Sequence, residues 1–418
     1  MQRRHVMTVI LTVAVFSLAT TGALGTDTES VLFTFGIGGS GNNPQGLIQD
    51  SVGNFYGTTE SGGGQPCNCG AVFELSPASG GGWTYTTLYG FSGANNGTYH
   101  PGLSGLTIDK AGNLYGSAYQ TGTVNSNCSF GCGFVYELSP ASGGWIYSTL
   151  YSFQGGNDGA NPIATVALDA SGNVYGTTTV GGSLAGGTVF KLSHASGTWK
   201  KSVIHNLKGS TQGASPAGVV LDSLGNVYGV TTASGAFGFG TAFELLPPAL
   251  GKGWSFKLLH SFAGAALGDG AFPLGTLIFD KAGSLYGTTY EGGSTSCGGG
   301  GGCGTVYTLK PTAKGAGEHV LHSFDGTDGY GPIAGLAEDG AGNLYGPTTN
   351  GNGNCGTAFE LSHNSGGWNF SSIYNFPGDG TAGCGPAATL VIGAGGNLYG
   401  VTTNGGSVGF GVAFELQP

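Results

Sequence analysis

Gly112-Asn113-Leu114-Tyr115-Gly116, led three residues earlier by Asp109, is one of seven copies of a single motif. The others are Gly53 to Gly57, Gly172 to Gly176, Gly225 to Gly229, Gly283 to Gly287, Gly342 to Gly346 and Gly396 to Gly400. A repeat of about 57 residues is the signature of an array in which each unit is one supersecondary element. The Asp-x-x-Gly-Asn core reads as a tight turn, because aspartate bonds its own backbone and glycine supplies a positive φ. Working outward, Gly105 to Ile108 reads as strand a and Leu114 to Ser117 as strand b. After a Gly-rich loop, Gly133 to Leu138 is strand c, with Tyr136 and Leu138 on one face and Val135 and Glu137 on the other. Ser139 to Gly144 turns the chain into strand d, Trp145 to Phe153. Four antiparallel strands make a unit the size of one propeller blade.

The two ends decide between an open stack and a ring. The last repeat stops after its strand c at Leu416, while the first is preceded by an orphan d-like strand, Val31 to Phe35. Phe35 matches Phe91, Phe153, Phe262, Phe324 and Phe376 of the later d strands. A ring explains the offset, since the N-terminal strand then completes the last blade and removes the open edges. The expectation is an all-β, seven-bladed β-propeller formed as one domain by residues 26–418.

These strands and turns also resemble a known family. Asp-x-x-Gly-Asn-Leu-Tyr-Gly-Thr-Thr, then Gly-Thr-Val-Phe-Glu-Leu-Ser-Pro, then Tyr-Ser-Phe is similar to the Gloeo-Verruco (GloVer) tandem repeat of bacterial extracytoplasmic proteins. The resemblance covers residues 31–418. It implies export, often with surface anchoring, and it implies no activity or catalytic residues. The chain departs from anchored members in ending at Phe414-Glu415-Leu416-Gln417-Pro418 without a sorting signal.

Composition agrees with an exported chain. Residues 1–25 read as a signal peptide: Arg3, Arg4 and His5, an apolar run from Val6 to Leu18, and the small-x-small site Ala23-Leu24-Gly25. No later stretch is apolar and long enough to span a bilayer. The expected location is therefore secreted or extracytoplasmic, in the periplasm or on the cell surface. Both arginines lie in the leader; its removal takes the net charge from −10 to −12. A mature chain without arginine and with net negative charge is a poor partner for nucleic acid.

By strand alternation, the b–c and d–a loops share the face that propellers usually present to ligands. All eight cysteines fall there. An even count in an exported chain argues for disulfides. Cys128 pairs with Cys132, Cys297 with Cys303, and Cys355 with Cys384. Cys67 and Cys69 remain, the least settled pair because a Cys-x-Cys bridge is strained. Metal binding by the closely spaced cysteines is the rival reading, weakened by the lack of a neighbouring histidine. Asp158, Asp269, Asp328 and Asp379, each followed by glycine, recur in d–a loops. They read as turn formers, or as carboxylates that contact calcium or a polar ligand. His100 lies on the same face, outside the d-strand slot in which His205, His260 and His322 are exchanged for Tyr89, Tyr151 and Tyr374. Trp83, Trp145, Trp199, Trp254 and Trp368 occupy one d-strand slot, as packing residues would.

Three functional readings stay open. The first is a non-catalytic module that binds a polysaccharide or another surface protein through the disulfide-stiffened loop face. It rests on the near-identity of the blades, because catalysis needs unlike groups at one point. The second is a hydrolase or lyase, with or without calcium assistance, with His100, Asp158, Asp269, Asp328 and Asp379 converging on the tunnel mouth. The third is a structural envelope component.

Overall fold

The computed structural model describes residues 28–64, 68–92, 102–103, 105–195, 197–249, 252–297, 300–313, 315–351, 355–380 and 382–418. The signal-peptide reading therefore lies outside the described residues. Seven antiparallel sheets form the blades of one propeller, five of them four-stranded and two with the innermost strand in two pieces. Blade 1 is representative, with strands Asn42–Gln49, Phe55–Ser61, Ala71–Pro77 and Trp83–Gly90 in chain order from the axis outward. Blade 7 is made from both ends of the chain. Its third strand, Val412–Gln417, pairs antiparallel with Thr28–Thr34, from Thr28 opposite Gln417 to Thr34 opposite Val412. The expected N-terminal closure is thus the observed one.

The recurring motif is a structural cassette. In blade 2, Asp109 Oδ1 accepts the backbone N–H groups of Ala111 and Asn113. Oδ2 accepts the Asn113 side-chain amide and the Tyr115 hydroxyl. Asp50, Asp169, Asp222 and Asp339 repeat all four bonds. Every polar residue of Asp-x-x-Gly-Asn-x-Tyr therefore has a partner within the turn. The motif's last glycine has a different cause, which is close approach. A Cβ on Gly229 would lie 2.7 Å from Phe243 Cζ and 3.0 Å from Val219 Cγ1. Gly57, Gly176, Gly346 and Gly400 each lie as close to a strand c phenylalanine ring, Gly116 and Gly287 to a tyrosine. Gly229→Ala should cost about 1–3 kcal/mol by overpacking. Urea unfolding checks this; an unchanged midpoint would mean that the ring moves aside freely.

The outer strands carry a second regularity that alternation alone does not foresee. Each c–d pairing slips by one residue at the same place, for example between Thr149 and Tyr151 or between Ala358 and Phe359. These are β-bulges, and a bulge reverses which face the following residues occupy. In blade 1 it falls at Leu88. Tyr85 and Tyr89, four apart, would otherwise share a face. Instead Tyr85 stacks on Phe33 of blade 7 at 4.7 Å, and Tyr89 stacks on Tyr147 of blade 2 at 4.3 Å. One strand thereby packs against both neighbouring blades. The phenylalanine two residues further on, Phe91 in blade 1, is fully buried there and in five other blades. The tryptophans pack between blades as expected: Trp145, Trp254 and Trp368 approach Tyr56, Tyr175 and Tyr286 of the preceding blade at 5.9, 6.4 and 5.9 Å.

Candidate functional site

The innermost strands of all seven blades surround an axial channel of about 770 Å³. Its wall is glycine, alanine, threonine, glutamine and aliphatic residues, including Gly46, Gly105, Thr165, Gly218, Thr276 and Ala388. Among the described residues that line it, none has an ionisable side chain. Acid–base catalysis needs a proton-transfer group within hydrogen-bond reach of substrate, and this wall supplies none.

The loop aspartates are instead distributed around the ring, each in the seam between its own blade and the next. Asp158 Oδ1 accepts the Tyr151 hydroxyl at 2.8 Å, and Oδ2 accepts the Gln154 N–H. Asp269 Oδ2 accepts from His260 Nε2 at 2.9 Å and from the Ala263 N–H. Asp328 Oδ2 accepts from His322 Nε2 at 2.7 Å, and Oδ1 from the Asp325 N–H. Gln212 plays the same part for His205. Asp379 Oδ1 accepts a long bond from the Ala382 N–H. These residues hold the d–a loop onto its own outer strand, and the structure does not bring the aspartates together. His100 lies outside the described residues.

The same seams hold residues that reading the repeats one by one does not single out. The residue after each bulge, a tyrosine or histidine in six blades and Phe33 in the seventh, faces one slot on the next outer strand. His205 stacks on Phe256 and His322 on Phe370, at 4.8 and 4.0 Å. Three seams place a charge in that slot: Lys201, Glu318 and Glu29. Lys201 Nζ sits 2.7 Å from Asp158 Oδ1, also meets the Asp158 carbonyl, and is 3% exposed. Glu29 accepts the Tyr374 hydroxyl at 2.9 Å. Burial pushes the Glu29 carboxyl up; bonds from Tyr374 and the Gly383 N–H pull it back, and Asp379 adds to the rise. Glu318 faces His260 and Asp269. Aligning the d strands shows a charge where other repeats place an aromatic ring, which is the signal that could have found all three.

Two surfaces remain. Among the described residues, eleven of the sixteen large apolar side chains left exposed lie between strands b and c or between strands d and a; Ile163 and Leu274 of these line the channel, and the others include Leu184, Phe237 and Leu267 on blades 3 to 5. This asymmetry marks one face as the sticky one. On the opposite face, a hollow of about 540 Å³ opens between blades 5 and 6. Ser284 and Thr308 line it where blade 2 carries the longer Asn113 and Glu137. Tyr286, Trp368, Asp280, Glu338 and His363 also line it.

Disulfides join Cys128 to Cys132, Cys297 to Cys303 and Cys355 to Cys384, the pairings expected from sequence. The last ties the b–c loop of blade 6 to Gly383–Pro386, the first piece of blade 7's innermost strand, so Cys384 lies in a strand and not in the d–a loop expected for it. Cys69 is also disulfide-bonded; Cys67 lies outside the described residues. Such bonds persist in oxidising compartments, so the protein is extracytoplasmic. No helix among the described residues is long and apolar enough to cross a membrane.

A family profile described as the Gloeobacter/Verrucomicrobia repeat matches residues 120–299 and 293–418. No curated protein matches the sequence. Among solved structures, one similar chain is the extracellular domain assigned to a one-component system of B. thetaiotaomicron. It aligns with a TM-score of 0.55 at 12% identity, over 94% of this chain and 40% of that one. The present chain thus spans less than half of that protein's length. A protein of Bacteroides uniformis assigned as a 6-phosphogluconolactonase aligns with a TM-score of 0.47 at 15% identity, over 86% of this chain and 89% of that one. Similarity at such identities speaks to fold alone.

Proposed function

The chain belongs to the Gloeobacter/Verrucomicrobia repeat family, and from that premise we propose that it is an exported, non-catalytic propeller that binds a partner through its b–c/d–a loop face. The observation that carries this reading is the one-sided exposure of apolar side chains on that face. Disulfides stiffen the loops that present them, so less entropy is lost on binding. Branched aliphatics such as Leu184 and Leu267 suit a protein surface better than a sugar, which stacks on aromatic planes. The favoured partner is therefore another protein at the cell surface. The wall of the axial channel, without ionisable groups, supports a binding role over hydrolysis.

The hollow between blades 5 and 6 favours a second reading, in which a polysaccharide binds. Trp368 offers a ring, and Asp280 and Glu338 offer acceptors for sugar hydroxyls. One experiment separates the two. The purified protein is incubated with cell envelope and, separately, with insoluble polysaccharides, and the supernatant is assayed for sugar. Retention on envelope without sugar release is expected. Leu184→Asp with Phe237→Asp should cut retention at least ~10-fold while stability stays within about 0.5 kcal/mol, as for ordinary surface changes. Retention on polysaccharide that is lost in His363→Ala with Glu338→Gln would select the hollow instead. Released sugar would overturn the binding-only reading.

A further inference from the structure

The seam between blades 4 and 5 differs in kind from the rest. Its slot on the second blade holds Glu318, where the neighbouring seams hold Phe256 and Phe370. Glu318 is 6% exposed and Asp269 is 11% exposed at the side chain, so both carboxyls are nearly dry. Asp269 uses both oxygens, accepting from His260, the Ala263 N–H and the Gly270 N–H. Glu318 does not: no donor reaches its buried Oε1 in hydrogen-bond geometry, although the Asp269 carboxyl and the Gly270 N–H lie close to the Glu318 carboxyl. Its Oε2 lies 3.9 Å from His260 Nε2. One ligand atom from each of His260, Asp269 and Glu318 falls within 4.8 Å of the others.

Two buried carboxylates at this separation cannot both be charged unless something positive lies between them, because repulsion and lost hydration add. A proton is one solution. A cation is the other, and it also satisfies the orphaned oxygen.

We infer that His260, Asp269 and Glu318 form a binding site for a divalent metal ion of the zinc type, which joins blade 4 to blade 5. One imidazole and two carboxylates form a mixed nitrogen–oxygen set that suits zinc. Calcium takes six to eight oxygens, and magnesium keeps most of its water. Two negative charges balance the ion, and a neutral His260 completes three protein ligands. The partial exposure of His260, 20% at the side chain, leaves room for solvent at a fourth position. Blade 5 has Ala316 where five blades begin strand d with tryptophan, so this seam lacks that ring.

The test uses the full exported chain, stripped with chelator, exposed to zinc, and freed of excess by gel filtration. Elemental analysis should find one zinc per chain, and zinc should raise the melting temperature by several degrees. Glu318→Gln should weaken zinc binding more than ~100-fold, beyond the 10–100-fold typical of losing an outer partner. Glu318→Phe copies the neighbouring seams, so it should fold and take up no zinc. Stripped wild type that takes up no more zinc than Glu318→Phe would overturn the proposal. So would stoichiometric zinc that survives Glu318→Gln, or calcium bound in preference to zinc.

Discussion

A chain that lacks residues 28–35 should melt at a lower temperature and less cooperatively than the intact protein. The reason is geometric. Thr28–Thr34 is the fourth strand of blade 7, and only it covers the edge of Val412–Gln417. Without it, that edge presents unpaired backbone groups to solvent and to other chains. The apolar loss is as large. Phe35 is fully buried, edge-on to Phe73 of blade 1 at 5.1 Å. Its cluster also contains Val401 and Ala413 of blade 7, so it seals the joint between first and last blades. Phe35→Ala alone should cost about 3–5 kcal/mol, the usual range for a buried phenylalanine. Calorimetry should show one transition for the full chain and a lowered or broadened one for the truncation. A synthetic peptide of residues 28–35 should restore part of the loss by adding as a strand in trans. If the truncation melts like the full chain, the ring does not depend on this strand for its stability.

How much of this was legible beforehand divides along a physical line. The ring was legible because closure appears as an offset in a count, with Phe35 at the start and Leu416 at the end. The disulfides were legible because Cys128, Cys132, Cys297 and Cys303 pair within single loops, and Cys355 and Cys384 across adjacent blades. The seams were not. Reading period-two alternation along Trp145–Phe153 places Tyr147 and Tyr151 on one face; the bulge at Leu150 places them on opposite faces. A bulge leaves no residue signature here beyond the ordinary Leu or Ile that occupies it. For the same reason the outer-strand partners of Asp158, Asp269 and Asp328 were hidden, whereas the loop N–H groups they accept fit their reading as turn formers. Their real partners, Tyr151, His260 and His322, depend on a direction that the alternation rule reverses. The hollow was hidden for another reason. Ser284 and Thr308 read as drift within a repeat until their smaller volumes meet across one blade face.

The second large effect is expected at Lys201. Its side chain is 3% exposed, and its ammonium is bonded to the Asp158 carboxylate at 2.7 Å. It also lies 5.4 Å from the Tyr151 ring centre and 5.1 Å from that of Phe153. Burial pushes the Lys201 amine below the usual lysine range, while its bond to and attraction by Asp158 pull it back up. Removing only the cation strands Asp158 in a partly buried seam. Lys201→Met should therefore destabilise the protein by about 3 kcal/mol, the lower end for a broken buried pair, because Asp158 keeps some contact with water. Removing both charges should be far milder. The next seam works without them, with Phe256 stacked on His205 and Gln212 as the loop acceptor. Lys201→Phe with Asp158→Gln copies that arrangement and should fall within about 1.5 kcal/mol of wild type, the range for volume-conserving repacking. Lys201→Phe alone, Asp158→Gln alone and the two together form a cycle whose coupling energy should reach about 2 kcal/mol. Urea denaturation at neutral pH measures all three. Additive single effects would mean that the ion pair contributes nothing specific, and that the seam is held by ring stacking and the loop bonds alone.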